Sequence, residues 1–346
     1  MRNIIAGMDI GFGHAKVCLK AGDLETQTIR FPRIFAEAKT NSWGLNNHSV
    51  YGIGRDRLYV GAEALSYQDS LIRHDYRDYV KNETYWLCIS KALVELGIFN
   101  NNDNTRLKRL ILGLAPGHYS KENIRHMKRK ALYGVEFAFN NKIFRFSAEN
   151  VKILPQGSGA FFSEMLTDRG LVKERNGYKK LHGILDVGFR TTDFLIFENG
   201  QFIGEKEELS EDTGIRMVLE NLQSYIKKKF DKVEIEFLEP VLRGKPFEFR
   251  GEEHDLAIIV AQFVSNHIQK RIEPEVLKRW EGRLNRMNRI IICGGGAYLF
   301  KHAHDFLKEN RSQILIPAEP EMSNAIGFCR YGVMQDTLSR VKAKKW

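Results

Sequence analysis

Two segments far apart in the chain have the same design: Met8-Asp9-Ile10-Gly11-Phe12-Gly13-His14-Ala15-Lys16 and Leu185-Asp186-Val187-Gly188-Phe189-Arg190-Thr191-Thr192-Asp193. Each starts as an apolar run, Ile4 to Ile10 and Gly183 to Val187, which suits a buried strand. Each sets an aspartate at the strand end, then glycine-bearing turn residues, then a second apolar run. Glycines let backbone approach an anion and aim N–H groups at it. The aspartates suit Mg²⁺, a hard cation that prefers oxygen ligands and keeps several waters. One Asp-x-Gly turn means little, but two in this setting read as a phosphate clamp built twice.

The 346 residues suffice for a large core and favour two domains. No apolar run is long enough to span a bilayer, and strand begins almost at the N-terminus, so neither a membrane span nor a signal peptide is expected. Cys18, Cys88, Cys293 and Cys329 lack CxxC spacing, which argues against a disulfide framework or zinc site and for a reducing cytoplasm. The net charge of +10 admits nucleic acid, acidic protein or anionic membrane as partners. Its basic clusters (Lys128-Arg129-Lys130, Lys227-Lys228-Lys229 and Arg340 to Lys345) resemble no folded nucleic-acid module, so direct nucleic-acid binding stays open.

Along the first half, strands are expected at Ile4–Asp9, Ala15–Lys20 and Thr26–Phe31, and a loop from Ala36 to Asn47. Ser49–Gly52 and Leu58–Gly61 form a hairpin, Asn82 to Leu96 a helix, Leu107–Leu114 a buried strand and Ser120 to Tyr133 a basic helix. In the second half a helix follows Ser158, a charged loop runs from Asp168 to Lys180, and Asn199-Gly200 turns a hairpin between Phe194–Glu198 and Gln201–Glu205. Helices fill Gly214–Phe230 and His254–Arg279, and one from Asn324 to Lys342 closes the chain. Arg289–Cys293 is a strand running into Gly294-Gly295-Gly296, a surface without side chains where a base and ribose can lie on backbone. The repeated strand–clamp–strand–strand–helix order reads as an internal duplication of a mixed α/β unit with a cleft between the halves.

In order, the first clamp, Pro155-Gln156-Gly157-Ser158-Gly159-Ala160, the second clamp, Ile291 to Ala297 and Ser323-Asn324-Ala325-Ile326-Gly327 resemble the phosphate, connecting and adenosine motifs of the actin-like ATPase superfamily. Length and the Tyr51-to-Ala64 segment look like its ParM and archaeal actin-like branch. The resemblance implies an α/β, actin-like (ribonuclease H-like) fold of two duplicated mixed-sheet domains flanking a nucleotide cleft. Domain I would span 1–150 with a small subdomain insertion at about 32–80. Domain II would span 151–332 with a helical insertion at about 215–285, and 333–346 would pack back on domain I.

The resemblance also implies roles. Asp9 and Asp186 would hold Mg²⁺ through water, with Asp186 and Gln156 orienting the attacking water. Gly11, Phe12, Gly13, Lys16, Gly188, Phe189, Arg190 and Thr191 would surround the phosphates of ATP or ADP, and Gly294, Gly295 and Gly296 the adenosine. Gly214 would let the nucleotide pass, with Glu220 or Asn221 reaching base or ribose. Plainer alternatives are an outward Lys16, a Gln156 that only opens a helix, an Arg190 in solvent, Thr191 and Thr192 as turn caps, and Asp193 as a turn or edge residue. His14 and His118 read as loop or packing residues.

The implied function is ATP hydrolysis (GTP being a possible second substrate) coupled to self-association into filaments, with a DNA-bound adaptor as partner and plasmid segregation as the task. No direct membrane insertion is expected. The rivals are a sugar- or acetate-type kinase of the same fold and a nucleotide-gated adaptor that does not polymerise. There is no GxxxxGK[ST], no third glycine of a dinucleotide fingerprint and no nucleophile elbow.

Overall fold

The computed structural model describes residues 3–38, 48–72, 80–99, 103–203, 210–230, 233–303 and 305–343. It divides into two compact units, residues 1–175 with 322–346 and residues 176–321.

The first unit holds β1 (Ile4–Ile10), β2 (His14–Ala21), β3 (Gln27–Pro32), β4 (Phe35–Glu37), β5 (Tyr51–Ile53) and β6 (Asp56–Val60). These are followed by α1 (Glu83–Glu95), β7 (Asn104–Leu114), α2 (Lys121–Tyr133), β8 (Val135–Phe139), β9 (Lys142–Pro155) and α3 (Ser158–Met165). Both α1 and α2 start on side-chain caps: Asn82 accepts from the Thr84 N–H, and Ser120 from the Asn123 N–H. The strands form one nine-stranded sheet in the order β3-β2-β1-β7-β9-β8-β5-β6-β4. Its β1, β7 and β9 are parallel and its β1–β2 and β2–β3 pairs antiparallel.

The second unit opens within α4 (Arg175–Lys179). It contains β10 (His182–Val187), β11 (Thr192–Glu198), β12 (Gln201–Phe202), β13 (Ser210–Glu211), α5 (Arg216–Lys229), α6 (Glu239–Leu242) and the hairpin of β14 (Phe247–Phe249) and β15 (Glu252–His254). Then come α7 (Ala257–His267), a π-helical turn, α8 (Glu273–Arg279), β16 (Arg289–Cys293) and β17 (Ile314–Leu315). Its sheet runs β12-β11-β10-β16-β17, with β13 also on β11, and β10, β16 and β17 are parallel. That order and sense repeat β3-β2-β1-β7-β9, so each unit is built on the same five-strand plan. Each unit also has its own apolar core, around Trp86, Phe137 and Phe146 in the first and Trp280, Ile292 and Leu222 in the second.

The last helix, α9 (Ser323–Ala343), belongs to the first unit and is seated on β1, β7 and α3. The approach is backbone on backbone. A Cβ on Gly7 would lie 2.2 Å from the Cys329 nitrogen, and one on Gly327 would lie 1.7 Å from the Gly159 carbonyl oxygen.

Several expectations are corrected. A division at residue 150 falls inside β9, which pairs continuously with β7 over Arg109–Leu114, so the boundary lies past α3. The C-terminal return starts at residue 322 rather than 333, because α9 is one uninterrupted helix. The segment at 32–80 contributes β4, β5 and β6 to the main sheet. Phe35–Glu37 is strand where a loop was expected from Ala36, while 39–47 lie outside the described residues. The charged loop contains α4, and His254 closes β15 rather than opening a helix. The expected strand to Glu205 is described only through Phe202, and 204–209 lie outside the described residues.

Replacing Gly327 by alanine should cost at least about 3 kcal/mol, the upper end for overpacking, because the facing atom is backbone. Gly117→Ala, with nothing within 4 Å of the new Cβ, should stay within about 0.5 kcal/mol. Urea unfolding of the two variants checks the contrast.

Candidate functional site

In the first unit β1 and β2 close through a turn in which the Gly11 N–H donates to the His14 carbonyl at 3.0 Å. This register sets Asp9 directly opposite Lys16. The Lys16 Nζ lies 3.1 Å from Asp9 Oδ2, and both side chains are buried, so Lys16 is no outward strand residue. Gln156 Nε2 donates to the other oxygen, Asp9 Oδ1. Gln156 is itself placed by its N–H, which donates to the Leu114 carbonyl at 2.9 Å at the end of β7. The next residue, Gly157, turns the chain into α3 at φ +85°, a left-handed conformation that favours glycine. Asp9, Lys16 and Gln156 are therefore brought together, with both carboxylate oxygens engaged. The Phe12 ring meets the His118 ring edge-on at 5.9 Å, which accounts for His118 as packing.

The second unit repeats the turn: the Gly188 N–H donates to the Thr191 carbonyl at 2.8 Å. The register now sets Asp186 opposite Asp193, both buried. Asp193 thus lies within β11, correcting the turn-or-edge expectation. The loop's carbonyls are tied to the start of α5. Gly188, Phe189 and Arg190 accept from the N–H groups of Ile215 (3.1 Å), Arg216 (2.8 Å) and Gly214 (2.8 Å). Gly214 has its own reason here, since a Cβ there would lie 2.4 Å from the Arg190 carbonyl carbon. The loop's backbone by itself requires that glycine.

Arg190 pairs with Asp212 at 3.3 Å. Thr192, fully buried, donates to the Thr213 carbonyl at 3.0 Å and so acts as a turn tie. Glu220, expected near base or ribose, accepts from Arg216 at 2.9 Å on the exposed face of α5.

The three glycines after β16 divide in role. Gly294, at φ +86°, sits where a Cβ would lie 2.4 Å from Asp186 Oδ1, and Gly296 packs on Val187 and Ile215. Only Gly295 has open space around its missing Cβ among the three. A 3-10 segment, Ala297–His302, follows instead of an α-helix.

Residues 7–159 match the family model described as the N-terminal domain of actin-like proteins. Residues 184–306 match the C-terminal model of the archaeal actin homologue MreB-like family. Together the two models match well over half of the chain, which belongs to the actin-like proteins. It is 25% identical over 338 residues to the archaeal actin homolog of Thermoplasma volcanium, covering 94% of this chain and 97% of that protein. The crystal structure of an archaeal actin homolog in complex with ADP aligns with a TM-score of 0.73 at 20% identity, covering 97% of this chain and 99% of that one. A subunit of a 15-stranded ParM filament from Clostridium botulinum aligns at 0.71 and 22% identity, covering 96% and 99%.

Within this actin-like framework three residues carry roles the sequence did not disclose. Asn324 Oδ1 accepts from the N–H groups of Gly157 and Ala160, each at 3.1 Å, and so caps α3 from the start of α9. The available hint was that glycine at the helix start brings no capping side chain of its own. Asp193 carries a buried carboxylate at the register position where the first hairpin has Lys16. His267 Nε2 donates to the Thr213 carbonyl at 2.8 Å, just before Gly214. Burial lowers the His267 pKa, the Arg271 charge adds to this, and the Thr213 bond opposes it. Among the described residues no three or more His, Cys, Asp or Glu gather to hold a metal ion, and no helix is long and apolar enough to cross a membrane.

Two outcomes follow from this geometry. Lys16→Met leaves Asp9 as a buried carboxylate without its cation and should cost about 3 kcal/mol in chemical unfolding. Adding Asp9→Asn should recover part of that loss, the mark of direct coupling. The lowered pKa of His267 means that the unfolded chain binds its proton first as pH falls. Its contribution to stability is complete above the unfolded value of about 6.5 and is lost as pH drops through the lowered folded value. His267→Gln, which keeps a donor for Thr213, should therefore shrink the stability difference between pH 7.5 and 5.5, measured by urea midpoints.

Proposed function

We propose that this chain is an actin-like ATPase that binds Mg-ATP through its two glycine loops and polymerises into nucleotide-dependent filaments, serving DNA segregation through a DNA-bound adaptor. The observation that carries the reading is the paired hairpins, which share one register and one turn closure and each hold a buried aspartate at the strand end. The ADP held by an archaeal actin homolog of the same fold, and the filament built by a ParM of the same fold, support it.

In this reading the N–H groups of residues 12–13 and 189–191 cradle phosphate oxygens, those of Gly11 and Gly188 being spent on the turn closures. Lys16 keeps one donor on Asp9 and turns its others to the β- or γ-phosphate. Gln156 gives its Nε2 to Asp9, so its carbonyl oxygen is the end that accepts from the attacking water. An amide aligns water without taking its proton, and positioning dominates phosphoryl transfer. Asp9 suits Mg²⁺ held through water, since both of its oxygens are already engaged by Lys16 and Gln156. When bound, Mg²⁺ neutralises charge on the β- and γ-phosphates. Loss of the γ-phosphate then times filament disassembly.

ATP, GTP or a non-hydrolysable analogue should convert the protein into sedimentable polymer visible by negative stain, and ADP should not. A protein that stays monomeric with every nucleotide while phosphorylating a small molecule would be a kinase of this fold. In the same assay Gln156→Ala should slow phosphate release at least tenfold with ATP affinity within threefold of wild type. Equal losses in both would remove the water-aligning role.

A further inference from the structure

The net charge is not shared between the units. Residues 1–175 with 322–346 carry 31 Lys and Arg against 19 Asp and Glu, a net +12. Residues 176–321 carry 22 against 24, a net −2. The whole excess therefore belongs to the first unit.

Within that unit the charge is ordered along α2. Lys121, Arg125, Lys128 and Arg129 stand at i, i+4, i+7 and i+8, which places them on one helical stripe that Leu132 extends at i+11. Lys121, Arg125 and Arg129 are exposed, and Lys128 is half-buried. Other cations of this region are paired, Lys130 with Glu83 at 2.6 Å and Lys81 with Glu122 at 2.9 Å. The four stripe cations have no carboxylate partner among the described residues. Like charges four apart on a helix repel, and a cation in the first turn opposes the helix dipole. The stripe therefore works against the stability of the helix that carries it.

The opposite face of α2 is committed: Met127 and Ala131 are fully buried, and the helix packs on β9. The stripe is thus held outward on a rigid support. At its C-terminal end Leu132 and Tyr133 are 47% and 74% exposed.

We propose that the outer face of α2 binds the phosphate backbone of double-stranded nucleic acid directly and without sequence preference. From Lys121 to Arg129 the stripe rises about 12 Å in steps of up to about 6 Å, while duplex DNA presents a charge every ~1.7 Å of its axis. Several phosphates therefore lie within reach of one helix face. An anionic bilayer fits this surface less well, because interfacial helices bury an apolar face in lipid and that of α2 is buried in the protein. Tyr133 offers an aromatic edge to sugar or base at the end of the stripe. The contact involves none of the phosphate-loop residues, so it stands apart from nucleotide binding.

The test uses the full chain without nucleotide and a fluorescein-labelled 30-base-pair duplex of arbitrary sequence, read by anisotropy from 50 to 200 mM NaCl. The wild type should bind, with log K falling against log salt at a slope of about −3 to −4 for three to four phosphate contacts. Replacing Lys121, Arg125, Lys128 and Arg129 together by glutamine should weaken binding at 50 mM salt at least tenfold and flatten that slope by about 3. The pair Arg125→Gln with Arg129→Gln should give about half that flattening, and it serves if the fourfold variant unfolds. Neutralising Lys227, Lys228 and Lys229 of the second unit should change affinity less than twofold. The proposal is overturned if the wild type fails to bind at 50 mM salt or if the two unit-specific variants lose affinity equally. It is also overturned if vesicles containing phosphatidylserine take up the protein through the α2 stripe in preference to the duplex.

Discussion

Backbone meets backbone where α9 crosses β1 and α3, and the first loop depends on that contact. Glycine at Gly7, Gly159 and Gly327 removes the side chains that would hold the elements apart. The close approach lets Asn324 reach the unpaired N–H groups at the start of α3. The turn into α3 then fixes Gln156, and Gln156 fixes Asp9. A residue near the C-terminus thereby controls the position of a carboxylate near the N-terminus. The link runs from α9 through the start of α3 and the turn at Gln156 to β1.

The two hairpins show how one backbone plan carries two electrostatic designs. Strand order, sense, register and turn closure are the same in both units. At the position facing the strand-end aspartate, the first has Lys16 and the second has Asp193. The first carboxylate is thus compensated within its own hairpin and braced by Gln156. The second hairpin is braced through its carbonyls, which hold the first N–H groups of α5. Side chains rigidify one loop and backbone rigidifies the other. The Phe189-Arg190 pair fits that difference, since both residues contribute main-chain acceptors and the Arg190 side chain turns to Asp212.

Much of the architecture was legible because it is written in short-range patterns. Apolar runs ending in Asp-x-Gly marked β1 and β10, Asn199-Gly200 marked the β11–β12 turn, and helical spacing marked α1. What escaped depends on neighbours distant in sequence. The Arg190 backbone packed against Gly214 lies more than twenty residues away along the chain. Asp193 looked peripheral because nothing local reveals that β11 is flanked by β10 on one side and β12 and β13 on the other. The boundary at residue 150 failed because β9 is long and its pairing with β7 is not local.

Sequence alone determined the repeated hairpin, the order of the motifs and hence the actin-like plan, because each rests on residue types within a few positions of one another. It also determined the sum of the charges. Tertiary structure decided where that charge collects, which residue faces each strand-end aspartate and which glycines have backbone packed against them. Those outcomes depend on which distant segments meet, and a buried carboxylate or a missing Cβ acquires its meaning only from the atom placed against it.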